Sequence, residues 1–252
     1  MKTILKISIL PALLLALAPM AFADSVTLNS GSGSSASDSN GNLEFLGTSV
    51  MAANEQGQNP AAGLSGATGV TTPGASTNTY DLAGAGWLAA IPGTSWVANA
   101  ATAGVGCVSG STCDPNAFYY YETTFTAAGG AGVYAGSINV MADDTAEVLL
   151  NGVVIVPFGA IGADAYCSDQ APSCGTNDNV ALTGISLLSG TNTLVVIDAQ
   201  TSGNGEGIDF SANLSTVPEP SSLLLLGSGL LGLAFVAFRK AKPARPVLHM
   251  NI

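Results

Sequence analysis

Carboxylates and thiols carry most of the chemistry that the middle of this chain has to offer. All six Lys and Arg residues (Lys2, Lys6, Arg239, Lys240, Lys242 and Arg245) lie at its two ends. Between Asp24 and Phe238 there is no Lys, Arg or His, and that stretch holds all 17 Asp and Glu. The single histidine, His249, comes after the last hydrophobic run. A Ser-His-Asp or Cys-His nucleophile, or a histidine zinc site, is therefore ruled out for the middle by residue type alone. Nucleic acid is excluded as a partner, because tracking phosphates needs cations facing the backbone.

Two chemistries remain. Glycoside hydrolysis needs only a pair of carboxylates at a defined separation, and Glu122, Asp143 and Glu147 are the candidates. Calcium, the one cofactor the sequence suggests, takes carboxylate and carbonyl oxygens. Its candidate ligands are Asp143, Asp144 and Asp209, all near expected strand ends, with Asn177-Asp178-Asn179 as a further oxygen-rich loop. None completes a calcium loop. Asp38-x-Asn40-x-Asn42 begins like an EF-hand, but Leu43 stands where the turn needs glycine. Solvated turn carboxylates are the plainer reading. Trp87, Trp96, Tyr119, Tyr121 and Tyr134 could offer sugar-stacking faces, although aromatics in strands more often fill a core or pair across strands.

The four cysteines, Cys107, Cys113, Cys167 and Cys174, have neither zinc nor redox C-x-x-C spacing. An even count in an oxidising compartment argues for disulfides, and the short loops favour Cys107–Cys113 and Cys167–Cys174 among the three pairings.

The elements that position these residues read as strands. No amphipathic stretch of helical period precedes Leu223. Phe118–Thr126 and Val133–Met141 are expected strands, as are Glu147–Leu150 and Val153–Val156 around Asn151-Gly152, a strong hairpin signal. Val180–Leu188, Thr193–Ala199 and Ile208–Leu214 follow, with Leu43–Met51 and Thr94–Ala98 earlier. Eight to ten short strands predict an all-β antiparallel sandwich of jelly-roll type.

Both ends carry address labels. Lys2 and Lys6 precede an apolar run, Ile7–Met20, and then Ala21-Phe22-Ala23, the pattern of a cleaved secretion signal over 1–23. At the other end Leu223–Phe238 carries no charge and measures about 24 Å as a helix, slightly short of a ~30 Å hydrocarbon core. Arg239, Lys240 and Lys242 follow as a membrane stop on the cytoplasmic side. The expected organisation is signal peptide 1–23, Ser/Gly-rich flexible segment 24–42, exported β-sandwich 43–214, linker 215–222, transmembrane helix 223–238 and basic cytoplasmic tail 239–252. Within the helix, Gly227-x-Gly229-x-x-Gly232 matches a dinucleotide fingerprint by accident, since it follows no strand.

The ordered set of Pro218-Glu219-Pro220, a Gly-interrupted Leu-rich helix and an Arg-Lys cluster resembles the PEP-CTERM sorting signal of bacterial envelope proteins. The resemblance implies recognition by an exosortase, a membrane protease-transpeptidase, with Pro218, Glu219 and Pro220 as its substrate motif. It also implies the inner membrane as an intermediate station and extracellular polysaccharide as the setting. The fragments Phe118–Phe125, Asp143-Asp144, Val148–Gly152, Leu188–Leu194 and Gly207–Phe210 resemble, in order, galactose-binding-like jelly rolls. That resemblance implies glycan binding, often beside a structural calcium. The function expected is a non-catalytic, exported surface or matrix protein, membrane-anchored outside the cytoplasm before processing and then at the cell surface or released. The rivals are a carboxylate-only glycoside hydrolase on the same scaffold and a purely structural or adhesive coat protein.

Overall fold

Apolar side chains two residues apart, such as Tyr119 and Tyr121, Val148 and Leu150, or Ile208 and Phe210, put one face of these strands into a core in the computed structural model. It describes residues 24–31, 39–50, 77–82, 87–103, 116–161, 167, 170–201, 205–217 and 222–240. The signal peptide, Cys107–Cys113, Pro218–Pro220 and Lys242 lie outside them. Eleven strands are formed among the described residues: β1 Ser25–Asn29, β2 Ser39–Val50, β3 Thr77–Leu82, β4 Trp96–Ala98, β5 Ala117–Thr126, β6 Gly132–Asp143, β7 Thr145–Leu150, β8 Val153–Val156, β9 Asp178–Leu187, β10 Thr191–Gln200 and β11 Gly207–Thr216. A single helix, α1 (Ser222–Lys240), follows them.

All strand pairings are antiparallel, along the path β8-β7-β10-β5-β2-β3-β4-β11-β6-β9, with β1 added to β11. The path turns back on itself, so its two halves face each other. Tyr119, Tyr121, Val148 and Val196 from one half share a core with Ile138, Val140, Ile208 and Phe210 from the other. The expected β-sandwich is therefore observed in its antiparallel, two-leaved form. Asp24–Thr216 makes one compact unit, and α1 belongs to a second.

The chain's turn chemistry explains the register. Asn151 (φ 50°) and Gly152 (φ 79°) both adopt positive φ, as a tight hairpin between β7 and β8 requires. Asn151 then reaches sideways: its Nδ2 donates to Asn192 Oδ1 (2.9 Å), and its Oδ1 accepts from Thr193 N (2.9 Å). Buried Asn192 also accepts from Leu188 N (2.8 Å), so one amide pair ties the β7–β8 hairpin to the β9–β10 turn.

Two expectations need correction. Ser25–Asn29 is not part of a flexible segment. Val26 and Leu28 point inward and pack on the core, which makes this stretch a paired strand on β11. The membrane reading of 223–238 also changes. The helix forms, with Leu230, Leu231, Leu233, Phe235, Val236 and Phe238 exposed and the Arg239 guanidinium 5.0 Å from the Phe235 ring. Among the described residues, however, no helix is long and apolar enough to cross a membrane. Gly227, Ser228, Gly229 and Gly232 dilute an apolar run that is already short for a bilayer.

Candidate functional site

One end of the sandwich gathers six buried carboxylates: Asp81, Asp143, Asp144, Asp198, Glu206 and Asp209. Asp209 and Asp143 stand on the outward face of β11 and β6, where side chains one strand apart alternate with the core set. They are buried because the β3–β4 loop folds over them. Ile91 N (2.8 Å) donates to Asp209 Oδ2, while Ser30 Oγ (2.9 Å) and Thr94 Oγ1 (2.5 Å) donate to Oδ1. Burial pushes the Asp209 carboxyl above its ordinary value, and these three donors oppose that shift without cancelling it. Trp87 Nε1 donates to Asp143 Oδ2 (2.8 Å). The Trp87 ring lies against Gly207, where a Cβ would come within 2.7 Å of it, so only glycine admits the indole.

Around these carboxylates sits a small apolar cluster. Trp87 and Trp96 meet at 4.5 Å between ring centroids, tilted by 41°. Ile91, Met141 and Cys174 complete the group. The expected Cys167–Cys174 disulfide is formed, and Cys174 O accepts from Leu88 N (3.1 Å), joining the stapled loop to the β3–β4 loop. Cys174 Sγ also approaches Asp143 Oδ1 to 3.3 Å.

Three of the remaining four acids serve the chain itself as acceptors. Asp144 Oδ2 accepts from Thr201 N (2.7 Å) and Thr201 Oγ1 (2.6 Å). Glu206 accepts from Asn99 N (2.8 Å) and from the Tyr121 hydroxyl (2.5 Å). Asp81 accepts from Ser95 Oγ (2.9 Å). Burial, followed by the nearby Glu206 and Asp198 charges, pushes the Tyr121 hydroxyl well above its usual value. With no cation between Asp24 and Phe238, backbone N–H groups and hydroxyls do the work that Arg and Lys do elsewhere.

The candidates named from sequence separate accordingly. Asp143 and Asp209 both hold the β3–β4 loop and Asp144 holds Thr201 after β10, and among the described residues no three His, Cys, Asp or Glu side chains form a group able to hold a metal ion. Tyr119, Tyr121 and Tyr134 are core, and so is Trp96; Trp87 is half-buried under the carboxylate contact. Of the three carboxylates considered for hydrolysis, Glu122 (β5) and Glu147 (β7) stand on the outer face of one half and Asp143 on the outer face of the other. Glu122 and Glu147 are offset by two strands and one residue pair, roughly 12 Å between Cα atoms at ordinary sheet spacing. β2 places Glu44 directly opposite Glu122, a pairing that spacing within one strand could not reveal.

Comparison with known proteins identifies the C-terminal segment. Residues 216–240 match the PEP-CTERM protein-sorting motif, so the chain carries that sorting signal. No curated protein matches the chain. Among solved structures it is similar to a family 35 carbohydrate binding module from Clostridium thermocellum, at 14% identity and TM-score 0.24, over 44% of this chain and 87% of that one. It is also similar to the PA14 domain of the MpAFP antifreeze protein, at 14% identity and TM-score 0.27, over 79% and 82%. A Podospora anserina GH26-CBM35 β-(1,4)-mannanase aligns at 16% identity and TM-score 0.26, over 46% of this chain and only 25% of the mannanase. At these values no ligand or activity is transferred.

Proposed function

We propose that the protein is an exosortase substrate whose β-sandwich works outside the cytoplasm as a non-catalytic surface or matrix module with affinity for extracellular polysaccharide. The observation that carries the sorting half of this reading is one of boundaries. The sorting motif begins at Thr216, the last residue of β11 and of the compact unit, and ends at Lys240, the last residue of α1. Cutting at Pro218–Pro220 would therefore free the sandwich without breaking a strand. Before that cut, the sorting signal and the basic residues after it hold the chain at the inner membrane.

The non-catalytic half rests on the carboxylates. Buried Asp143, Asp144 and Asp209 act as acceptors for loops, and Asp143 is separated by the sandwich from Glu122 and Glu147. The test is expression with and without an exosortase. Processing is expected to yield a mature protein ending within residues 216–220. Glu219→Ala is expected to leave the chain uncut, and cutting that continues elsewhere in that variant contradicts the assignment. Hydrolysis of a polysaccharide, lost in Glu122→Gln, would overturn the non-catalytic reading.

A further inference from the structure

The outward face of β9, β6, β11 and β1 is unlike the rest of the molecule. The register aligns Asn179, Asn139, Ser211 and Asn29 in one row across four strands. The next row is Ala181, Ser137, Asn213 and Thr27. A third runs through Ala135, Ser215 and Ser25. Every one of these side chains is small and uncharged, and each is exposed or half-buried. None of the 17 carboxylates stands in these rows. Sheet spacing sets the pattern: columns about 4.8 Å apart and rows about 6.8 Å apart.

The face is also held in place. Asn139 Oδ1 accepts from Asn179 Nδ2 (2.5 Å), and Asn213 Oδ1 accepts from Thr27 Oγ1 (3.0 Å). These cross-strand bonds fix amides in exposed positions and reduce the ordering cost of binding. At one end the face is bounded, because the β3–β4 loop covers Asp209 and Met141, one row beyond Asn139 and Ser211.

We propose that this face docks an uncharged, extended polysaccharide, a step that rests on the reading of the sandwich as an extracellular module. The chemistry selects the occupant. A protein partner wants aromatic or Arg anchors in its centre, and these rows have none. Anionic polymers and lipid headgroups want cations, which the whole domain lacks. A neutral polyhydroxylated chain meets the face on equal terms, since hydroxyls and amides both donate and accept. Each such bond contributes little net free energy in water. Useful affinity therefore comes from many repeated contacts, and a periodic face favours a periodic polymer over a single sugar.

The test is affinity electrophoresis of the full chain in mild detergent, in gels containing a neutral β-glucan, mannan or α-glucan, or anionic alginate. At least one neutral polymer is expected to retard the protein and alginate is not. Two exposed positions on the face are changed separately, Asn213→Glu and Ala181→Arg, so that a misfolding variant does not end the test. Each is expected to weaken retardation at least tenfold with an unchanged melting temperature, while Val153→Glu on exposed β8 leaves it intact. Retardation that persists in both face variants overturns this site while leaving polysaccharide binding standing. Absence of retardation by every neutral polymer overturns the ligand. A face that supports only self-association, seen by sedimentation and lost in both variants, overturns the occupant. None of these outcomes touches the sorting reading, which depends on the mature ends.

Discussion

The outward face of β6 and β11 has two ends that solve opposite problems. At the capped end, Asp143 and Asp209 lie under the β3–β4 loop and the Cys167–Cys174 staple, where Asp143 accepts from the Trp87 indole and Asp209 from Ile91 N, Ser30 Oγ and Thr94 Oγ1. At the open end, Ser137, Asn139, Ser211 and Asn213 face solvent without a formal charge among them. A domain that carries acids but no bases cannot pair its charges within itself. It buries some of them as hydrogen-bond acceptors for loops, where a carboxylate can order several donors at once, and leaves a surface of neutral groups beside them. Stability should accordingly be concentrated at the capped end, and binding at the open one.

Substitutions sharpen that contrast in order of expected effect. Asp209→Ala removes the acceptor of Ile91 N, Ser30 Oγ and Thr94 Oγ1 and should cost about 3 kcal/mol, read as a lower urea midpoint with an unchanged slope. Replacing both Cys167 and Cys174 by Ser opens a loop with a sequence separation of 7 and should cost about 2 kcal/mol by chain entropy, measured in the same way. Tyr121→Phe strips Glu206 of a buried hydroxyl donor, and about 1.5 kcal/mol should be lost in thermal melting. Asn213→Ala, at the open end, should change stability by less than about 0.5 kcal/mol. A loss at Asn213 as large as that at Asp209 would erase the distinction between the two ends.

The smallest effect concerns pH. Burial raises the Glu147 carboxyl above the ordinary glutamate range. The folded state therefore holds that proton more tightly than the unfolded chain. The resulting stabilisation is present in acid and is lost as pH rises through the folded value. Glu147→Gln should flatten the fall in melting temperature between acid and neutral pH. A slope identical to that of the unsubstituted protein would show that Glu147 does not contribute.

Much of this architecture was legible in residue order. Asn151-Gly152 announced its hairpin because both positions need positive φ, and the apolar runs on either side read as its strands. Cys167 and Cys174 announced their bridge by proximity. β1 was hidden, since five residues with two apolar positions look like any Ser-rich leader until β11 offers them a partner. The carboxylate rim was half visible. Asp143, Asp144 and Asp209 were picked out as oxygen donors, but only the fold reveals that they receive hydrogen bonds from Trp87, Thr201 and the β3–β4 loop. The neutral face was invisible, because Ser, Thr and Asn spaced two apart on four separate strands carry no local signal. It exists only once register brings Asn179, Asn139, Ser211 and Asn29 into line.

The proposed sorting of a folded, cation-free sandwich rests on a C-terminal signal that begins at the last residue of β11. The decisive measurement is the intact mass of the protein recovered from the cell surface. The expected mass corresponds to a chain that ends within residues 216–220 and lacks α1. A surface-located protein whose mass still includes Arg239 and Lys240 would contradict it.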